Sequence, residues 1–320
     1  MPKYRQITSE ERYVIAALKK QGLSLSAIAR HMGRSASTIS REIRRNRSRH
    51  DGAYRPAQAC ERTNGRRSRS RRNTHFSAED WMLVENLITL DWSPEQVAGW
   101  LRLHGILWIS YETIYLRVWR DKRAGGSLWK HMRQATKRRR KRYGSHDSRG
   151  RLPGKRHISE RPPDVETRAT TGHWEIDTIM GDDHGRHSAL TVVERKTGFL
   201  QMGKLERHCS ADASARTIEL IERQPDMFKT ITADNGTEFH GYKATEEATG
   251  VPFYFATPHH SWERGTNENT NGLIRQYLPK RKSMAHISQV DLEVIVAKLN
   301  SRPRKRLGFR TPEECYAEAR

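Results

Sequence analysis

Cysteine is scarce: Cys60, Cys209 and Cys315 are the only three in 320 residues, far apart and without a Cys-x-x-Cys pair. This argues against a cysteine-built zinc finger and suits a reducing compartment. Long apolar runs are also missing. None approaches the roughly 18 residues that span a bilayer, and MPKYRQITSEE at the start lacks the apolar stretch of a signal peptide. The expectation is a cytoplasmic protein that meets no membrane. Acidic residues are short in one half only. Residues 1–150 hold 33 Lys and Arg against 13 Asp and Glu, a net of +20, whereas residues 151–320 hold 26 against 24, a net of +2. A generally basic protein would not show that asymmetry. The total of +22 points to a polyanionic partner for the first half and a different task for the second. Eight tryptophans and a hydrophobic fraction of 35% exclude a wholly disordered chain, and the length allows two or three domains.

Residues 7–46, ITSEERYVIAALKKQGLSLSAIARHMGRSASTISREIRRN, read as three short helices. Thr8 and Glu11 have the spacing of a capping box. Ser24 or Ser26 opens the second helix, which ends at Gly33, and Ser35 opens the third. There Ile39 and Ile43 share an inward face. Two helices split by a short Gly-containing turn make a helix-turn-helix. Ser37, Thr38, Ser40, Arg41, Arg44 and Arg45 stay outward on the last helix, where short polar groups and Arg suit base edges and phosphates of a major groove. The plain alternative is a helical bundle with a solvated basic face.

Residues 51–75 read as a basic Gly/Ser-containing linker that lies on phosphates. A second helical unit is expected over 76–123. Ser93-Pro94 starts one helix, and Ser110 caps another with Ile114 and Val118 inward and Thr113 and Arg117 outward. It has the look of a second helix-turn-helix, although Trp-rich helices are often plain core. Residues 124–164, with the run KRRRKR at 137–142, form a second basic linker.

From residue 165 to 320 the pattern is α/β. HWEIDTIMG, HSALTVVER and GFLQMGKLE are strands, with Thr197-Gly198 turning between the last two. A helix, the strand MFKTITAD, a short helix, the strand VPFYFA and the helix of TNENTNGLIRQYLP follow. This makes a mixed five-stranded sheet with helices. TADNGTEFH carries Asp-Asn-Gly, a common hairpin turn, yet Asp234 also ends an apolar strand. Strands one and four are expected to be neighbours, so Asp177 and Asp234 approach. Two such charges about 4 Å apart repel by roughly 4 kcal/mol at an effective dielectric near 20. A divalent cation removes that repulsion, and oxygen donors favour Mg²⁺, with Mn²⁺ as a substitute. A pair of ions serves phosphodiester chemistry. The last helix offers Glu263 and Glu268 as a third ligand. Glu268 is preferred because Asn271 and Arg275 share its face, Arg275 being placed to hold a DNA phosphate, and because Glu263 precedes a break expected at Gly265. Glu175 shares the strand face of Asp177, and Asp182 and Asp183 are further acidic neighbours. His259, His260 and Trp262 stay open between packing and contact with metal or DNA.

HWEIDTI, TADNGTEF, WERGTNENTNGLIRQYLPK and LNSRPRKRLGFRTPEECY, in that order, resemble the DDE transposase core of the IS-thirty (IS30) family of bacterial insertion sequences. The N-terminal stretch resembles that family's helix-turn-helix, so the likeness covers essentially the whole chain. It implies a ribonuclease H-like integrase core over 165–320 and a helix-turn-helix domain over 1–50. Asp177, Asp234 and Glu268 would be the catalytic, metal-holding triad. The implied activity is Mg²⁺-dependent cleavage at the element's terminal inverted repeats and strand transfer into target DNA. The implied partners are those two DNAs and further copies of the chain, at least a dimer, in a nucleoid-associated bacterial protein. Two other readings use the same residues: a helix-turn-helix regulator whose second half only assembles dimers, and a metal nuclease acting on RNA.

Overall fold

A computed structural model of the chain describes residues 6–70, 76–133, 154–181, 187–258 and 260–320. They fall into two compact units, Met1–Phe76 and Ser77–Arg320. In the first, α1 (Ser9–Lys20) starts on a complete capping box between Thr8 and Glu11. Ser24 caps α2 (Leu25–His31) and Ser35 caps α3 (Ala36–Asn46), each accepting a backbone N–H two or three residues into the helix. Gly33, at φ 61°, makes the turn between them. Ile15, Ile28 and Ile39 are fully buried and form the centre of the unit.

The stretch 51–75 is not a linker over most of its length. Pro56–Ser70 is a helix, α4, opened by a proline whose missing N–H costs nothing in a first turn. Composition hid its anchors, since Tyr54 and Ala59 join the core of Ile15 and Ile39. The Arg62 guanidinium donates to the carbonyls of Asn46 (2.9 Å) and Arg47 (2.6 Å), which α3 leaves free at its end.

In the second unit, α5 (Ala78–Thr89), α6 (Pro94–Leu103) and α7 (Tyr111–Arg123) bury Val84, Ile88, Val97, Leu101, Ile114 and Val118. Ser77, Ser93 and Ser110 cap them. The run at 137–142 lies outside the described residues, as do Asp182, Asp183 and His259. The end of the second expected linker is attached rather than free. His157 bridges Phe255 at the sheet edge, and the Phe255 N–H donates to the Arg156 carbonyl at 2.9 Å.

After the short α8 (Asp164–Thr167) come β1 (His173–Met180), β2 (Ser188–Glu194) and β3 (Leu200–Leu205), an antiparallel meander. Next are α9 (Ser210–Glu222), β4 (Thr230–Ala233), α10 (Tyr242–Thr249) and β5 (Phe253–Phe255). The remainder is helical: α11 (Gly265–Ile274), α12 (Gln289–Asn300) and α13 (Pro312–Ala317). The sheet order is β3-β2-β1-β4-β5, with β4 and β5 parallel to β1. This mixed sheet with helices on both faces is the ribonuclease H-like arrangement that the motifs implied. The period of two on β1 separates its faces. Trp174 and Ile176 pack with Leu220, Ile221 and Tyr242 beneath α9 and α10. Glu175, Asp177 and Ile179 alternate with them, and Ile179 packs with Leu273, Ile274 and Leu299 of α11 and α12.

The loop after α12 holds α6 against this core. Gln96 Nε2 donates to the Pro303 carbonyl at 2.8 Å, and the Phe309 ring presses on Gly99, where an added Cβ would lie 2.2 Å from Phe309 Cδ1. Gly99→Ala is therefore expected to force the ring aside and destabilise the unit by about 1–3 kcal/mol. Urea midpoints read this, and an unshifted midpoint would show that the ring gives way freely.

Candidate active site

Parallel pairing of β1 with β4 sets Glu175 against Thr232. Two residues further on, Asp177 lies in β1 and Asp234 just past the end of β4. One cation joins them. The buried Arg264 guanidinium places Nη1 3.7 Å from Asp177 Oδ2 and Nη2 3.3 Å from Asp234 Oδ2, and Nη1 also donates to the Ile176 carbonyl at 3.2 Å. Backbone N–H groups hold the other oxygens. Thr178 N–H donates to Asp177 Oδ1 (2.9 Å) and Gly236 N–H to Asp234 Oδ1 (2.8 Å). Asn271 Nδ2 adds a hydrogen bond to Asp177 Oδ2 at 2.9 Å. Each carboxylate is thus oriented by the protein, with its Oδ2 turned toward shared positive charge.

TADNGTEFH is both a turn and part of this cluster. Asn235 Nδ2 donates to the Ala256 carbonyl at 2.6 Å, tying the ends of β4 and β5, and Lys155 Nζ donates to Asn235 Oδ1. A 3₁₀ turn, Thr237–Phe239, follows instead of a partner strand. A Cβ on Gly236 would meet Glu238 Oε2 at 2.3 Å and Asp234 Oδ1 at 2.9 Å, so any larger residue there would push the two carboxylates from their places. Glu238 is itself buried and accepts from Thr178 Oγ1 at 2.8 Å.

The other acidic residues separate by what they touch. Glu175 is fully buried, 2.6 Å from Arg195 Nη1, and accepts the Asn267 N–H at 2.8 Å. Its oxygens are taken up in holding α11 to β1. Glu263 accepts the Thr257 N–H (2.8 Å) and lies 3.2 Å from His260 Nδ1, closing the loop that carries it. Trp262 is exposed and stacks on His260 at a ring separation of 4.3 Å. Glu268 is exposed on α11 and makes no hydrogen bond or ion pair with the described residues. Among the described residues, no three His, Cys, Asp or Glu side chains converge at metal-holding distance. The structure therefore brings Asp177 and Asp234 together and leaves Glu268 outside.

Sequence reasoning overlooked Arg264 because Gly265 read as a break. In the structure Gly265 has helical angles (φ −62°, ψ −23°) and is the first residue of α11. Arg264 is not helical (φ −119°, ψ 41°) and closes the 3₁₀ turn Ser261–Arg264 that leads into α11. Arg275 itself is a strut. Its Nη1 donates to the carbonyls of Met180 (3.1 Å) and Leu278 (3.3 Å), and burial pushes its pKa down against the pull of Asp177.

On α3, Ser37, Ser40, Arg41, Arg44 and Arg45 are exposed and Thr38 is half-buried, its hydroxyl 2.8 Å from that of Ser35. The end of α3, the loop after it and α4 line an open cleft of about 910 Å³. Arg44, Arg45, Arg47, Arg49, Arg62 and Arg66 face it with no carboxylate on its wall. On α7, Thr113 lies beside its cap, 3.1 Å from Ser110 Oγ. Arg117 is engaged within its own unit, paired with Glu85 at 2.7 Å and lying over the Trp81 ring.

A helix-turn-helix domain family matches residues 3–46. The chain is similar to the transposase for insertion sequence element IS4351 of Bacteroides fragilis, 38% identical over 98% of this chain and 96% of that one. It is also similar to the transposase InsI for insertion sequence element IS30A of Escherichia coli strain K12, 36% identical over 96% of this chain and 82% of that one. Among solved structures, the catalytic core domain of BIV integrase is similar over 47% of this chain and 95% of that chain, with a TM-score of 0.37 and 18% identity. The fold is that of a helix-turn-helix protein with an α/β ribonuclease H-like core. The chain belongs to the IS30 family of insertion-sequence transposases. No helix among the described residues is long and apolar enough to cross a membrane.

The Asp177 carboxyl is pushed up to about 6, first by burial and further by the charge of Asp234, against the pull of Arg264. A carboxyl whose folded pKa is raised stabilises the fold below its unfolded value near 4. It loses that contribution as pH rises through about 6. In chelator, stability should therefore fall between pH 4 and 7. Asp177→Asn should flatten this fall and gain up to about 3 kcal/mol at pH 7.5, read from denaturant midpoints across pH. An unchanged slope would mean that the carboxyl is not desolvated.

Proposed function

We propose that the chain is a divalent-metal-dependent DNA strand transferase that binds the terminal inverted repeats of an insertion sequence and joins them to target DNA. Family membership supports a DNA transposase. The observation that carries the finer reading is the pair of carboxylates, one within β1 and one just past β4, sharing one cation. The pair accepts positive charge and offers only oxygen donors, which suits a hard divalent ion such as Mg²⁺ or Mn²⁺. Asp177, Asp234 and Glu268 are its proposed ligands. Bound there, such an ion lowers the pKa of an attacking hydroxyl and stabilises a leaving oxygen.

The chain's own groups supply position. Thr178 N–H, Gly236 N–H and Asn271 Nδ2 fix the two aspartates, so charge is arranged before substrate arrives. In the first step water attacks a phosphorus at the element's end, and the phosphodiester releases a 3′-hydroxyl. In the second, that hydroxyl attacks a target phosphodiester and displaces its 3′-oxygen, so each step exchanges one P–O bond for another. The exposed face of α3 and its arginine-lined cleft are the proposed DNA-reading surface, with Ser37, Ser40, Arg41, Arg44 and Arg45 contacting bases and phosphates. The α6–α7 pair is a second candidate for DNA contact. Two element ends held together call for at least a dimer.

Asp234→Asn preserves shape and the Gly236 contact but removes the charge. It is expected to lower cleavage of a labelled inverted-repeat DNA by at least a thousandfold in Mg²⁺ while leaving its affinity for that DNA within twofold. Joining at the normal rate by this variant would exclude the assigned site.

A further inference from the structure

Arg264 and Glu268 stand one helical turn apart on a single segment, with the positive residue inside the site and the negative one outside. Removing a +1 guanidinium and bringing in a −1 carboxylate changes the local charge by two units, the charge of one divalent cation. We propose that Arg264 is a placeholder cation. It holds the Asp177–Asp234 pair in its ligand spacing until a divalent ion displaces it, the Arg264 side chain turning out and the Glu268 side chain turning in while the Asn267 N–H keeps α11 on Glu175. The proposal rests on the reading of these three carboxylates as metal ligands.

Two features fit a side chain built to leave. Its contacts with the two aspartates, 3.7 and 3.3 Å, are longer than the roughly 2.7–2.9 Å of a firm charge-assisted bond, whereas neighbouring Arg195 holds Glu175 at 2.6 Å. Gly265 joins Arg264 to the helix with no atom within 4 Å of its Cβ position, which leaves room for the backbone to turn there.

Without Arg264 the aspartate pair keeps its mutual repulsion, and an incoming ion has no resident charge to expel. The test is calorimetric titration of Mn²⁺ into the full chain without DNA, for the wild type, Arg264→Gln, Arg264→Lys and Asp234→Asn. Arg264→Gln should bind Mn²⁺ at least tenfold more tightly than the wild type. Arg264→Lys, a point charge unable to span both carboxylates, should fall between them. Equal or weaker binding by Arg264→Gln overturns the placeholder, and if that variant melts below the assay temperature, Arg264→Lys decides by the same criterion. Asp234→Asn separates the two levels. If it leaves Mn²⁺ binding intact, the ligand assignment fails; if it abolishes binding while Arg264→Gln is no tighter, only the placeholder fails.

Discussion

Two carboxylates held side by side, one within β1 and one just past β4, are a standing electrostatic cost, and the second unit is arranged around meeting it. The sheet order puts β1 beside β4, so the register brings Asp177 and Asp234 together whatever else the chain does. Neutralisation comes from α11, which crosses the same face and brings Arg264 and Asn271 to the pair. The helix is itself anchored by a buried carboxylate, Glu175, whose contact with the Asn267 N–H fixes its first turn to β1. One face of one strand thus carries a structural acid and, two residues on, a proposed metal ligand. What distinguishes them is the supply of partners. Glu175 has a close arginine and a backbone N–H, whereas Asp177 has a distant, shared arginine and a raised pKa.

The same logic accounts for the helical half. Six arginines line one cleft on the first unit without a carboxylate among them, an arrangement that a folded chain tolerates when a polyanion completes it. The short polar face of α3 lies next to that charge, so groups suited to reading bases and groups suited to holding phosphates belong to one surface.

Much of this was legible in the sequence because it rests on local chemistry. Serine and threonine caps at 8, 24, 35, 93 and 110 mark real helix starts, and the inward isoleucines of α3 follow the helical period. An aspartate closing an apolar run marked Asp234 as a candidate, and the strand and helix succession set the first and fourth strands side by side, as they are in the sheet. Where composition and structure disagreed, tertiary contacts decided. Residues 56–70 look like a linker because arginine, serine and glycine dominate, yet Tyr54 and Ala59 are enough to dock a helix. The helices α12 and α13 add to what the sequence suggested, each starting on a complete capping box, at Ser288 and Thr311. Arg264 stayed hidden for a single reason: a glycine beside it suggested a break, and in the structure that glycine is helical.

The exposed position of Glu268 is the sharpest point of the account, for it separates a chain poised for metal from one already assembled. Crystals of the full chain with a cognate inverted-repeat DNA and Mn²⁺, measured at the manganese absorption edge, address this directly. The account requires anomalous density between Asp177 and Asp234, with Glu268 turned onto it and the Arg264 guanidinium moved away. Density elsewhere, or manganese bound with Arg264 still lying between the two aspartates and Glu268 still in solvent, would contradict it.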